Sequence, residues 1–134
     1  MTLPSETREF VRRRANDACE YCGLPQHASV LPHQIDHIIG RQHRGTDDLE
    51  NLCLCCVRCN LKKGPNIASI DPSTHLVAEL YHPRRHAWRE HFAVVEATIV
   101  GLTAEGRTTV ELLDMNNEDR VQLRSVLLRR RWRS

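Results

Sequence analysis

The chain has 134 residues and a mass of 15.5 kDa, enough for one domain or one small domain with an appendage. Only 4% of the residues are aromatic, 27% are charged and the mean hydropathy is −0.48, which excludes a large apolar core and makes a metal staple useful. The formal charge of +2 is too small to imply a polyanionic partner by itself, no run approaches the ~18 apolar residues of a membrane span, and the N-terminus lacks a signal peptide's apolar stretch. A soluble cytoplasmic protein without membrane attachment is expected.

In chain order, Pro4 and the spacing of Val11, Ala15 and Ala18 predict a first helix over 4–18. Cys19 to Gly23 reads as a tight turn, with Gly23 free to adopt positive φ. The β-branched run from His33 to Ile39 predicts a short strand. Gly40 to Glu50 is polar and reads as a loop, and Asn51 to Cys56 as a second strand or turn. Cys56 to Lys63 suits a short helix closed by Gly64-Pro65. Beyond it, Asp71-Pro72-Ser73-Thr74 is a turn signal, followed by a strand from His75 to Tyr81. Pro83 to His91 reads as a helical turn, Phe92 to Val100 as β-rich, and Arg107 to Met115 as a helix. Asn116 with Asp119 resembles a capping box for a last helix reaching about Arg131. Residues 1–66 and 67–134 divide into a first domain and an extension expected to pack on it.

All six cysteines fall between positions 19 and 59. Cys19-x-x-Cys22 and Cys56-x-x-Cys59 have knuckle spacing, and two such turns can complete a tetrahedron around Zn2+. Four protein ligands leave no open position, so such a zinc is structural. Buried unligated cysteines and a redox pair are the alternatives. Cys53 and Cys55 alternate with Leu52 and Leu54 and read as core.

Inside this frame stand Asp36-His37, then Asn51, then Asn60 in Cys59-Asn60-Leu61-Lys62-Lys63-Gly64. Together with Asp36-His37-Ile38-Ile39, Asp47-Asp48-Leu49-Glu50-Asn51-Leu52 and the four knuckle cysteines, the pattern resembles the HNH endonuclease family in an H-N-N variant. The resemblance implies an α+β fold, a ββα-metal (His-Me finger) core stapled by zinc, with an N-terminal helix and a C-terminal α/β extension. It implies His37 as general base, Asp36 and Asn60 as ligands of a catalytic ion, and Asn51 as the tether that keeps the orientation and tautomer of His37. Lys63, His43 and Arg84 are candidate phosphate contacts. Two oxygen donors favour Mg2+ or Mn2+ at the catalytic position. The expected activity is metal-dependent hydrolysis of DNA phosphodiester bonds; a zinc-stabilised nucleic-acid-binding module without turnover is the alternative. Two positions depart from the family pattern: Gly40 stands where proline is common, and His43-Arg44-Gly45 keeps one of two usual glycines.

Basic clusters at Arg12-Arg13-Arg14, Lys62-Lys63, Arg84-Arg85 and Arg129-Arg130-Arg131 are further candidates for backbone contacts, as is Arg107. Trp88, His91 and Phe92 read as core of the extension.

Overall fold

The computed structural model describes residues 3–133, apart from the side chains of 131–133. The chain forms two compact units: one runs up to Ile67 and includes His82–Ala87, the other comprises Ala68–Tyr81 and the chain from Trp88 onward. Both mix helices with two-stranded antiparallel sheets, an α+β architecture.

The first unit begins with helix α1 (Ser5–Arg14), shorter than its apolar spacing predicts. Asn16 and Asp17 take left-handed φ of 53° and 58°, and such values end an α-helix. Strands β1 (Gln34–His37) and β2 (Leu52–Cys55) pair antiparallel, with Asp36 opposite Cys53 and His37 opposite Leu52. Helix α2 (Val57–Lys63) follows directly and ends at Gly64, whose φ is +52°. Val11 of α1 packs with Leu52 and Leu54 of β2 in a core of three fully buried side chains, flanked by Leu3, Ala15 and Ile35. Two arginines of the basic run serve the fold. Arg12 donates to the carbonyl of His33 (2.7 Å) and Arg14 to that of Leu52 (2.6 Å), tying α1 to the residue before β1 and to the start of β2.

The second unit contains the hairpin β3 (Ala68–Ile70) and β4 (Val77–Glu79), helix α3 (Trp88–His91), the hairpin β5 (Phe92–Val95) and β6 (Thr98–Gly101), and helices α4 (Ala104–Leu112) and α5 (Glu118–Arg133). The β-rich segment is therefore a hairpin, turning at Glu96 and Ala97 with φ of 49° and 73°, the positive pair a two-residue turn requires. Strand β3 carries no turn-free apolar alternation that would announce it. It exists by pairing with β4, across a turn whose Asp71 carboxylate accepts from Ser73 N–H (3.0 Å) and Thr74 Oγ1 (3.2 Å). Helix α5 is capped by Asn117, whose side chain accepts from Arg120 N–H (3.1 Å), rather than by Asn116. Asn116 instead makes two 2.8 Å hydrogen bonds to the backbone of Ile99, an attachment only the tertiary fold supplies. Phe92 is buried beneath Trp88 (centroids 4.9 Å) and Tyr81 (5.1 Å), as an apolar cluster should be.

Candidate functional site

The two knuckles converge. The Sγ atoms of Cys19, Cys22, Cys56 and Cys59 all lie within 4.8 Å of one another. A tetrahedron with Zn–S bonds of about 2.3 Å has an S–S edge of about 3.8 Å, and Cys22 and Cys56 are 3.8 Å apart. The donor set therefore fits zinc, with no fifth position for a reacting water. Each knuckle is shaped by its backbone. In the first, Gly23 at φ +82° lets its N–H reach the carbonyl of Cys19 (2.9 Å), while Cys19 N–H reaches that of Leu24 (2.9 Å). In the second, Cys56 caps α2 and its sulfur accepts from Cys59 N–H (3.4 Å). Burial pushes the Cys19 thiol up, but hydrogen bonds from Cys22, Cys55, Cys56 and Cys59 outweigh it and hold Cys19 well below the ordinary thiol range. Cys53 and Cys55 are buried on β2, Cys53 beneath Asp36 with its thiol pushed up by burial.

On β1, Gln34 and Asp36 share one face because side chains alternate along a strand. Helix α2 lies against this strand. Asn60 Nδ2 donates to Gln34 Oε1 (2.6 Å), and one helical turn later Lys63 Nζ reaches Asp36 Oδ2 (3.2 Å) and the carbonyl of His37 (3.4 Å). Asp36 and Asn60 are thus brought to the same strand–helix seam, although no hydrogen bond joins them among the described residues. Asp36 is 7% exposed; Tyr21 Oη also donates to its Oδ2 (3.3 Å). Burial raises the Asp36 carboxyl above its ordinary range, and Lys63 and Tyr21 work against that. Lys63 is itself only 2% exposed. Its ammonium points inward to a carboxylate, so in this conformation it is a buried counter-ion and not a phosphate contact. Position alone in a Lys-Lys pair does not reveal this: Lys62 faces solvent and Lys63 does not.

His37 stands at the end of β1, its side chain 21% exposed. Its Nε2 meets Asp47 Oδ1 at 2.8 Å, and Arg41 Nη2 donates to both oxygens of the same carboxylate (2.9 and 3.2 Å). The hydrogen bond to His37 and the charge of Arg41 hold Asp47 below the ordinary carboxylate range. The intervening loop is fixed by Asn51, which accepts from Ile39 N–H (2.9 Å) and donates to the carbonyls of Ile39 (3.0 Å) and Thr46 (2.7 Å). Both sequence departures fall here. Gly40 adopts φ −64°, a value proline would also take, so the loop keeps that geometry without the ring. Gly45 is required: a Cβ there would run into the carbonyl oxygen of Ile39. Arg44, beside it, carries a left-handed φ of 68°, the region that favours glycine.

His43 is exposed in the short turn Arg41–His43 of this loop. Arg84, expected at a phosphate-facing surface, is instead ion-paired with Glu20 and its side chain is 11% exposed. Burial and the nearby Arg14 lower the Arg84 guanidinium to about 10. Glu20, inside the first knuckle, also accepts from Leu54 N–H (2.7 Å), so Arg84 fastens the 82–87 segment to the knuckle and β2. Arg107 is likewise committed, to Asp71 through two hydrogen bonds of 3.0 and 2.7 Å. Of the terminal basic run, Arg129 and Arg130 are exposed, and the side chains of Arg131, Trp132 and Arg133 lie outside the described residues. Sequence reasoning assigned no role to Gln34, Asp47, Tyr21 or Glu20. Their polar types in a short motif were the available signal, but only folding shows what each one meets.

A β-hairpin runs into a short helix, with a histidine at the strand end and four cysteines gathered where they could hold a metal ion. Residues 19–66, a little over a third of the chain, match the family described as HNH endonuclease. No curated protein and no solved structure matches the chain. No helix among the described residues is long and apolar enough to cross a membrane.

Proposed function

We propose that the protein is a divalent-metal-dependent endonuclease that hydrolyses DNA phosphodiester bonds with His37 as general base. The observation that carries the reading is the placement of His37 at the strand end. Nε2 is hydrogen-bonded to Asp47, and Nδ1 has no hydrogen-bond partner among the described residues. A neutral imidazole with a reference pKa near ~6.5 suits proton abstraction at neutral pH. Nδ1 takes a proton from water, the resulting hydroxide attacks phosphorus, and the bond to the 3′ oxygen breaks; that oxygen takes a proton from solvent water, leaving 5′-phosphate and 3′-hydroxyl ends. Asp36 and Asn60, hard oxygen donors on one seam, would hold Mg2+ or Mn2+. When bound, that cation supplies charge to the phosphate and the departing oxygen. Asn51 keeps the loop in register with β1, and a zinc on the four cysteines would fix the start of α2 to the first knuckle. His43 and Arg44 on the loop and Lys62 on α2 are exposed and furnish backbone contacts to DNA. Six cysteines free of disulfides suit a reducing compartment such as the cytoplasm.

The test is supercoiled plasmid incubated with Mg2+, Mn2+ or EDTA, with wild type beside His37→Ala. Cleavage by wild type in Mg2+ or Mn2+, its loss in EDTA and a fall of at least about 100-fold in the variant, with zinc content unchanged, are expected. DNA binding without metal-dependent cleavage would move the protein to the binding-module reading.

A further inference from the structure

We propose that Asp47 is the positioning residue of His37: its carboxylate, anchored by Arg41, fixes the imidazole as the Nε2–H tautomer and leaves the Nδ1 lone pair for the reacting water. This rests on the nuclease reading for its catalytic consequence, but not for the tautomer itself.

Three observations meet at this residue. The first is the row His37 Nε2, Asp47 Oδ1, Arg41 Nη2, at 2.8 and 2.9 Å, in which one carboxylate oxygen accepts from a ring nitrogen on one side and a guanidinium on the other. A carboxylate flanked by Arg41 stays ionised and can only accept, so the nitrogen that meets it carries the proton, and in the neutral ring the other is left with its lone pair. The second is how Asp47 is held. Thr46, its chain neighbour, is bound through its carbonyl by Asn51 Nδ2 (2.7 Å), and Gly45 N–H reaches the carbonyl of Gly40 (3.0 Å). Asp48, on the other side, accepts at its carbonyl from Asn51 N–H (2.8 Å). Asn51 therefore anchors the backbone before and after Asp47. The third is that Asn51 makes no hydrogen bond to the ring of His37; its three side-chain bonds end on Ile39 and Thr46. Its control over the imidazole runs through the loop, and the group that touches the ring is Asp47.

Asp47 is 48% exposed and Arg41 51%, so neither is needed for packing, and removal of Asp47 should leave the fold intact. In the reaction, the water proton moves to Nδ1 while the Nε2 proton stays shared with the carboxylate. An aspartate in this role lowers the cost of the imidazolium that forms and removes the unproductive tautomer. Asp47 acts through the imidazole rather than on the reacting atoms, so its effect should appear in kcat and not in KM.

The experiment is nitrogen-15 NMR of the His37 ring together with steady-state cleavage of a DNA duplex in Mn2+, on wild type, Asp47→Ala and Asp47→Glu, each checked for full zinc content. Wild-type His37 is expected to be the Nε2–H tautomer when neutral. In Asp47→Ala the Nδ1–H form should become populated and kcat should fall about 100-fold, with KM changing less than twofold. Asp47→Glu, which restores a carboxylate on a longer stem, should recover the tautomer and most of kcat. Retention of the wild-type tautomer in Asp47→Ala would overturn the proposal, as would an unchanged kcat or a loss confined to KM. If wild type cuts no DNA with any metal, the nuclease reading fails, and the tautomer spectra alone then decide whether Asp47 sets the ring.

Discussion

The first unit holds two aromatic side chains, Phe10, which is 46% exposed, and Tyr21, which is buried and committed to Asp36. The second sets Tyr81, Trp88 and Phe92 ring against ring over a hairpin. Where the second has rings, the first has sulfur: four cysteines within one 4.8 Å cluster, two more on β2, and beside them the aliphatic cluster of Val11, Leu52 and Leu54. The difference teaches that a four-cysteine cluster able to hold a metal ion stands where a small unit with one polar face has little apolar volume. A ring-packed core between β1 and α2 would have filled the seam where Asp36, Asn60 and Gln34 sit.

The comparison is broken most directly by removing zinc. Chelation, or Cys59→Ser, withdraws a binding energy of about 10–16 kcal/mol for a structural site and is expected to abolish amide protection over 34–37 and 52–63. Protection over 92–112 should persist, since that unit has no metal ligand among its described residues. Loss of protection in both regions together would show that the second unit does not stand on its rings.

A smaller effect separates charge from sulfur within the first unit. Lys63→Met leaves Asp36 as a buried carboxylate without its cation, which costs about 3–5 kcal/mol. Burial already raises the Asp36 carboxyl, and losing Lys63 raises it further. A raised folded-state value favours the fold when the group is protonated and disfavours it when ionised. The deficit in urea unfolding should therefore be greatest near neutral pH and should shrink as acid protonates Asp36.

The second unit has an ion pair of its own, between buried Asp71 and part-exposed Arg107, with the opposite sign. Asp71 is held well below the ordinary carboxylate range by Arg107, then by the Ser73 N–H. Its contribution is complete above the unfolded value near ~3.9 and is lost as pH falls through the lower folded value. Asp71→Asn should lower the denaturation midpoint at neutral pH, and wild type and variant should converge only in strong acid. Convergence already at pH 6 would rule out this pair as the cause. The smallest change concerns the loop: Arg44→Gly relieves a left-handed residue and should raise stability by about 1 kcal/mol, measured by urea unfolding, with the zinc stoichiometry unchanged.

Much of the first unit can be read along the chain. Cys-x-x-Cys spacing, the β-branched run to Ile39 and Gly64-Pro65 after an amphipathic turn are local signals, and each produced its element. The second unit was less legible because its pieces are defined by what they meet. Strand β3 needs β4, and Asn116 looks like a cap until Ile99 takes its amide. Arg84 and Arg107 look like surface charge until Glu20 and Asp71 claim them.

Residue type and spacing by themselves determined the sulfur frame, the hairpin–helix order and the set Asp36, His37, Asn51 and Asn60, because backbone propensity and ligand chemistry act over a few positions. Which side chains are free was decided only by the tertiary structure. Lys62 and Lys63 are adjacent and identical in type, yet one faces water and the other a buried carboxylate. Asp47 and Asp48 are likewise neighbours, and only Asp47 reaches the imidazole. Such choices depend on groups 10 to 64 positions away in the chain, and the energy of a charge is set by whatever the fold brings beside it.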